Sequence, residues 1–172
     1  MLLEDFCLLF YFMSSKFRRG FTLIELLVVI AIIGILSTLA VVALNSARQR
    51  SRDAKRVSDI RQVQTAIELG YSETGNYPQG TNLTLGSASY SVLCNISGQS
   101  TFTANTTNCG AGTIYMGLVP TNPTPNGANY VYTSASGSAT YSITFNLEGT
   151  TGQLGSGDNC ANENGIQAGS SC

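Results

Sequence analysis

The sequence predicts an α+β protein, one long N-terminal helix followed by a small antiparallel β-sheet head. Three observations predict it. A long, predominantly apolar run fills Phe21–Leu44. The next stretch, Asn45–Glu68, holds no Pro or Gly and repeats apolar residues at three- and four-residue steps. From Gly80 onward, short β-prone runs alternate with Gly, Asn and Pro turns. The expected organisation is a leader at 1–20, a transmembrane helix at 21–44, an amphipathic continuation at 45–74 and a β-rich head with a C-terminal loop at 75–172.

The apolar run comes first. Phe21 to Leu44 spans 24 residues, about 36 Å as a helix at ~1.5 Å per residue. That is enough for a bilayer core of ~30 Å. Lys16, Arg18 and Arg19 stand immediately before it. Cations in front of an apolar run hold that end on the cytoplasmic side. A secretory signal peptide normally has a shorter run ending in an A-x-A-like site, and none is evident here. A plain signal anchor leaves Glu25 unexplained. A carboxylate at bilayer depth costs ~2.5–3.5 kcal/mol on insertion scales unless partnered.

The segment Gly20-Phe21-Thr22-Leu23-Ile24-Glu25, behind its basic leader, resembles the cleavage and methylation signal of type IV pilins and type II secretion pseudopilins. The resemblance covers about Lys16 to Pro78 and is most specific at its start. It implies that a prepilin peptidase cuts after Gly20 and that Phe21 becomes the N-methylated terminus. It implies that Glu25 is the assembly acid and that the apolar helix becomes the filament core. The partners it implies are other pilin subunits, the peptidase, an inner-membrane assembly platform and the lipid bilayer before assembly. The amine created at Phe21 is expected to meet Glu25 of a neighbouring subunit or of its own chain. Residues 1–12 are apolar, whereas a start at Met13 gives the hydrophilic leader MSSKFRRG, so translation is expected to begin at Met13.

Ala47, Ala54, Val57, Ile60, Val63 or Gln64, and Ile67 are expected to form the stripe that packs on the head. Arg48, Arg50, Arg52, Asp53, Lys55, Arg56, Asp59 and Arg61 are expected mostly on the other faces, against lipid headgroups or acidic heads of neighbours. Gly75 and then Pro78 should end the helix near Ser72–Thr74. Gly70 goes against helix propensity by ~1 kcal/mol. Many members of the family carry a Pro within the apolar run, and this chain has none there. Candidate strands are Tyr90–Cys94, Thr113–Leu118, Tyr130–Thr133 and Thr140–Leu147. The last alternates Tyr141, Ile143, Phe145 and Leu147 with polar residues and should cover the helix stripe.

Charge and cysteine content bound the function. Charged residues are 11% of the chain, against ~25% in average soluble domains. Every Lys and Arg lies at or before Arg61, and the only charges after it are Glu68, Glu73, Glu148, Asp158 and Glu163. A distal part without bases is not expected to bind nucleic acid. The chain has no His, hence no imidazole base or ligand, and no defensible catalytic constellation, so no enzyme is expected. Cys7 lies in the leader. Cys94, Cys109, Cys160 and Cys172 make an even set in an exported chain, and the local pairs Cys94–Cys109 and Cys160–Cys172 are favoured among three connectivities. No cofactor is expected. Asp158, Asn159, Asn162, Glu163 and Asn164 are oxygen ligands of the kind calcium takes, and similar pseudopilins bind calcium in a C-terminal loop. Their spacing fits no firm template. The tail Gly149–Cys172 is expected to be a loop closed by a disulfide.

Overall fold

A computed structural model describes residues 20–172. Cys7, Met13, Lys16, Arg18 and Arg19 lie outside the described residues. Helix α1 runs from Leu23 to Thr74, 52 residues. Its residues up to Leu44 belong to one compact unit and those from Asn45 to a second, Asn45–Cys172.

Among the described residues of the first unit, 20–44, no side chain is buried. Leu, Val, Ile and Ala point outward on every side of the helix, and Glu25 carries its one charge. A helix apolar all round needs lipid or other helices as its surroundings. It is the one helix among the described residues long and apolar enough to cross a membrane.

In the second unit α1 carries eight strands: β1 (Gly80–Thr84), β2 (Val92–Ile96), β3 (Gln99–Thr103), β4 (Ile114–Met116), β5 (Val131–Ser134), β6 (Ser142–Leu147), β7 (Gly157–Asn162) and β8 (Gly165–Ala168). They form a five-stranded sheet, β1-β5-β6-β7-β8, and a three-stranded one, β3-β2-β4. Every pairing is antiparallel. The α+β class is therefore as the sequence predicts.

The core forms where α1 meets the sheets. Ile60, Val63 and Ile67 are buried with Tyr130, Tyr132, Ile143, Phe145 and Leu147. Each such side chain contributes about 1.5–3 kcal/mol by leaving water. The period-2 pattern of β6 drives this: Ile143, Phe145 and Leu147 are buried while Ser142, Thr144 and Asn146 are half-buried. The helix ends at Gly75, whose N–H still reaches the carbonyl of Tyr71 at 2.7 Å and whose φ of 72° then turns the chain out of the helix. This is the left-handed stop that glycine favours.

Two expectations need correction. The tail from Gly149 is not a loop. Residues 157–168 form the β7–β8 hairpin, and β7 pairs with β6 from Ile143↔Ala161 to Leu147↔Gly157. Its residues have weak strand propensity, and the neighbouring β6 supplies the pairing that composition does not announce.

The second correction concerns the start of the helix stripe. Ala47 and Ala54 are exposed, and Asp53, Arg56 and Asp59 are buried in the face turned to the head. The head supplies their partners. Arg56 Nη1 donates to Asp53 Oδ1 and Glu148 Oε1, each at 2.7 Å. Its Nε donates to Asn122 Oδ1 at 2.7 Å, and Nη2 donates to the carbonyls of Pro123 and Asn126. Asp53 in turn accepts the backbone N–H groups of Glu148 and Gly149 at 3.0 and 2.9 Å. Arg52 holds Glu148 by two parallel bonds, Nε to Oε1 at 2.7 Å and Nη2 to Oε2 at 2.5 Å. Asp59 accepts from Lys55 Nζ at 2.9 Å and from the buried Tyr130 hydroxyl at 3.1 Å. Buried charge is tolerated when it is paired and fully hydrogen-bonded, as it is here. The Arg52 bonds, then those from Arg56 and Asn126, draw the Glu148 carboxyl down to about 2. Burial, and then the Asp59 carboxylate beside it, push the Tyr130 hydroxyl well above its ordinary value.

Candidate processing and assembly site

The residues with the clearest chemistry sit where α1 begins. Leu26 N–H bonds the carbonyl of Thr22 at 3.3 Å, the first intrahelical bond, which makes Thr22 the N-cap. Three positions on stands Glu25. The Thr22 N–H donates to Glu25 Oε2 at 2.9 Å, and the Glu25 N–H donates to Thr22 Oγ1 at 3.3 Å. The Thr22 hydroxyl also donates to Glu25 Oε2 at 2.8 Å. Cap and acid thus satisfy two helix N–H groups reciprocally, a capping box. The helix N-terminus itself favours negative charge there.

This arrangement gives Glu25 a local role that the sequence reading missed, although Thr-x-x-Glu ahead of an apolar run was available as the signal. It also fixes which part of the carboxylate is occupied. Oε2 takes both Thr22 bonds, and Oε1 takes none among the described residues. One acceptor edge is therefore open to a cation from elsewhere. Phe21, Ile24, Val28 and Val29 flank Glu25 in an open apolar groove, and Phe21 is 79% exposed.

Gly20 lies just before the cap, outside any helix or strand. Among the described residues, a Cβ added there would meet nothing within 4 Å. Lys16, Arg18 and Arg19, the other members of the expected signal, lie outside the described residues.

Of the cysteines, Cys94 is bonded to Cys109 across 15 residues, with Cα atoms 6.0 Å apart. Cys160 is bonded to Cys172 across 12 residues, with Cα atoms 5.7 Å apart. The first bond ties β2 to the short 3-10 turn Thr106–Cys109; the second ties the last residue to β7. The oxygen-bearing tail residues are dispersed. Asn159 is buried in β7 and donates to the carbonyls of Gly155 and Gly157 at 2.9 Å. Asp158 accepts from Asn146 at 3.1 Å, and Asn162 accepts the N–H of Asn164 at the hairpin turn. Among the described residues no group of three or more His, Cys, Asp or Glu converges.

Residues 15–41 match the family described as "Prokaryotic N-terminal methylation motif". The chain is 37% identical over 68 residues to the type II secretion system core protein G of Pectobacterium carotovorum subsp. carotovorum, covering 40% of this chain and 44% of that protein. It is 38% identical over 65 residues to the type IV major pilin protein PilA of Myxococcus xanthus, covering 38% of this chain and 30% of that one. It is 45% identical over 54 residues to a type IV major fimbrial protein FimA of Dichelobacter nodosus, covering 31% and 35%. The chain thus spans less than half the length of these curated relatives. No solved structure matches it.

Proposed function

We propose that this chain, which carries the prokaryotic N-terminal methylation motif, is a structural subunit of a type IV pilus-like filament, cut after Gly20 and assembled through α1. The observation that carries the reading is the composition of α1 up to Leu44: a helix apolar on all sides whose single charge, Glu25, has one carboxylate oxygen without a partner among the described residues. Before assembly, lipid covers such a helix. In a filament, the same helix of other subunits replaces the lipid.

Cleavage after Gly20 turns Phe21 into a positive amine four residues from Glu25. Left unpaired in an apolar core, either charge is strongly unfavourable; paired, they are tolerated. The pair therefore selects the register of packing more than it adds stability. Because Oε2 is held by Thr22, the capping box presents Oε1 in a fixed direction to the amine. On this reading Gly20 is the residue after which a prepilin peptidase cuts. On this reading the partners are other subunits, a prepilin peptidase, an inner-membrane platform and the bilayer. The role is structural rather than enzymatic.

Relatives named for type II secretion match over 68 and 61 residues, about as much of the chain as the 65 matched by a type IV pilin, which favours a pseudopilin as the second reading. Deletion separates the two: loss of surface fibres marks a pilus, and loss of a secreted protein with fibres unaffected marks a pseudopilus.

The test is intact mass and N-terminal sequencing of the protein from membranes and from sheared surface material, beside Glu25→Ala. A chain beginning at N-methylated Phe21, present in sheared fibres and absent from them in the variant, is the expected result. An uncleaved chain confined to membranes would leave only a signal-anchored ectodomain.

A further inference from the structure

Six cations follow the apolar run on α1: Arg48, Arg50, Arg52, Lys55, Arg56 and Arg61. The fold neutralises three of them. Among the described residues, the ion pairs join Arg52 to Glu148, Arg56 to Asp53 and Glu148, and Lys55 to Asp59. Arg48, Arg50 and Arg61 are exposed and take part in none of these pairs. The acid that follows Arg48 and Arg50 in the chain, Asp53, is buried and already held by Arg56 and by the N–H groups of Glu148 and Gly149.

Depth in a membrane separates the three unpaired arginines. At ~1.5 Å per residue, Arg48 and Arg50 come about 6 and 9 Å after Leu44 along the helix, and Arg61 about 25 Å after it. Headgroups add about 5–8 Å to each side of a ~30 Å apolar core. An arginine lays its stem along apolar surface and keeps its charged end in the polar layer. Arg48 and Arg50 thus reach the level of the lipid phosphates. Arg61 stands farther out than a Debye length of ~8–10 Å. Two residues turn a helix by about 200°, so Arg48 and Arg50 leave it on opposite flanks. A guanidinium meets a phosphate through two parallel N–H bonds. Two of them on opposite flanks engage two separate lipids.

We propose that Arg48 and Arg50 form a two-sided collar that binds the phosphates of anionic phospholipids while the chain stands in the membrane. The inference rests on the membrane-inserted state in the reading above and names the lipid which that state selects. A zwitterionic headgroup carries its own ammonium beside the phosphate, so the collar favours headgroups with net negative charge. It holds the end of the apolar run at one depth, and the chain gives these contacts up when it leaves the bilayer.

The test uses the full-length protein, extracted from membranes into detergent micelles that hold equal amounts of phosphatidylglycerol and phosphatidylcholine. Native mass spectrometry counts the lipids that stay bound. Phosphatidylglycerol is expected to be favoured, by about fivefold per arginine. Arg48→Gln and Arg50→Gln should each lose about that factor, and the two together should bring the lipids to parity. Lysine at both positions keeps the charge and should keep most of the preference. Arg61→Gln should change nothing. Inorganic phosphate in place of lipid should give no adduct, because arginines on opposite flanks cannot share one small ion. All these side chains are exposed, and unchanged circular dichroism confirms the fold of each variant. Equal binding of both lipids by the wild type, a preference that survives in the double glutamine variant, an equal loss in Arg61→Gln, or a phosphate adduct would overturn the collar while the filament reading stands. A wild-type chain that alkaline carbonate washes off membranes would overturn both.

Discussion

Arg56 shows how much one side chain settles. It is fully buried and donates to two carboxylates, one amide oxygen and two carbonyls. Replacing it with Ala leaves Asp53 and Glu148 as under-compensated acids, and the head should lose about 3–5 kcal/mol. Denaturant titration of the detergent-solubilised protein measures this. Arg56→Lys should recover little, because one ammonium cannot reach five acceptors spread over a plane. Glu148 carries a pH signature. Its carboxyl is drawn from 4.5 to about 2 in the folded head. A depressed carboxyl contributes stability that is full above the unfolded value and is lost as pH falls through the folded one. The head should therefore weaken between about pH 5 and pH 2, by about 2 kcal/mol after allowance for solvent screening. Glu148→Gln should flatten that slope, as measured by unfolding at a series of pH values. None of this network was legible in the sequence. Spacing puts Asp53, Arg56 and Asp59 on one helix face, but burying them depends on Glu148 and Asn122, 92 and 66 residues from Arg56. By contrast, Gly20, Phe21 and Glu25 stood out at once, because their pattern is local. The capping role of Glu25 was equally local and was passed over in favour of its charge.

At the scale of the element, α1 and β6 were readable because their own residues dictate them. The period of 3.6 survives from Ile60 to Ile67, and the period of 2 survives across Tyr141 to Leu147. Strands β1, β3, β7 and β8 were hidden by Gly, Asn, Gln and Ser. They exist because a neighbour pairs with them. For β3 the neighbour is reached through a two-residue turn, Ser97-Gly98, with φ of 54° and 82°, the geometry that suits hairpins. Gly70 is a case where element and packing disagree. Helix propensity alone says that Gly70→Ala should gain about 1 kcal/mol. The added Cβ, however, would stand 2.6 Å from Ser100 Oγ and 3.1 Å from Tyr115 Cε2. Packing should win, with a net loss of about 1–2 kcal/mol in thermal or denaturant unfolding. The Cys94–Cys109 bond closes a 15-residue separation. Replacing both cysteines with Ser should cost about 3 kcal/mol, read from the denaturation midpoint with and without reductant.

For the whole molecule, the division of labour follows composition. Residues 20–44 bury none of their side chains, and the unit from Asn45 holds the core and both sheets. Residues 45–172 alone should be monomeric in plain buffer, whereas the longer chain should need detergent or lipid to stay dispersed. Size-exclusion chromatography with light scattering distinguishes the two. The sequence made this partition plain, since a 24-residue apolar run needs no tertiary knowledge to recognise. It could not indicate how the Pro-rich loop after Val119 is held. That loop is gripped at Asn122 and at the main-chain oxygens of Pro123 and Asn126, while Thr124, Ala128 and Asn129 face solvent. Gly127 must stay glycine, because its φ is 108° and a Cβ would press on Asn122 and Arg56. A clasp that holds carbonyls is indifferent to the side chains between them. Foreign residues at positions 124, 128 and 129 should leave the clasp intact, which makes this loop a graft site for displaying a peptide epitope once per subunit along a fibre.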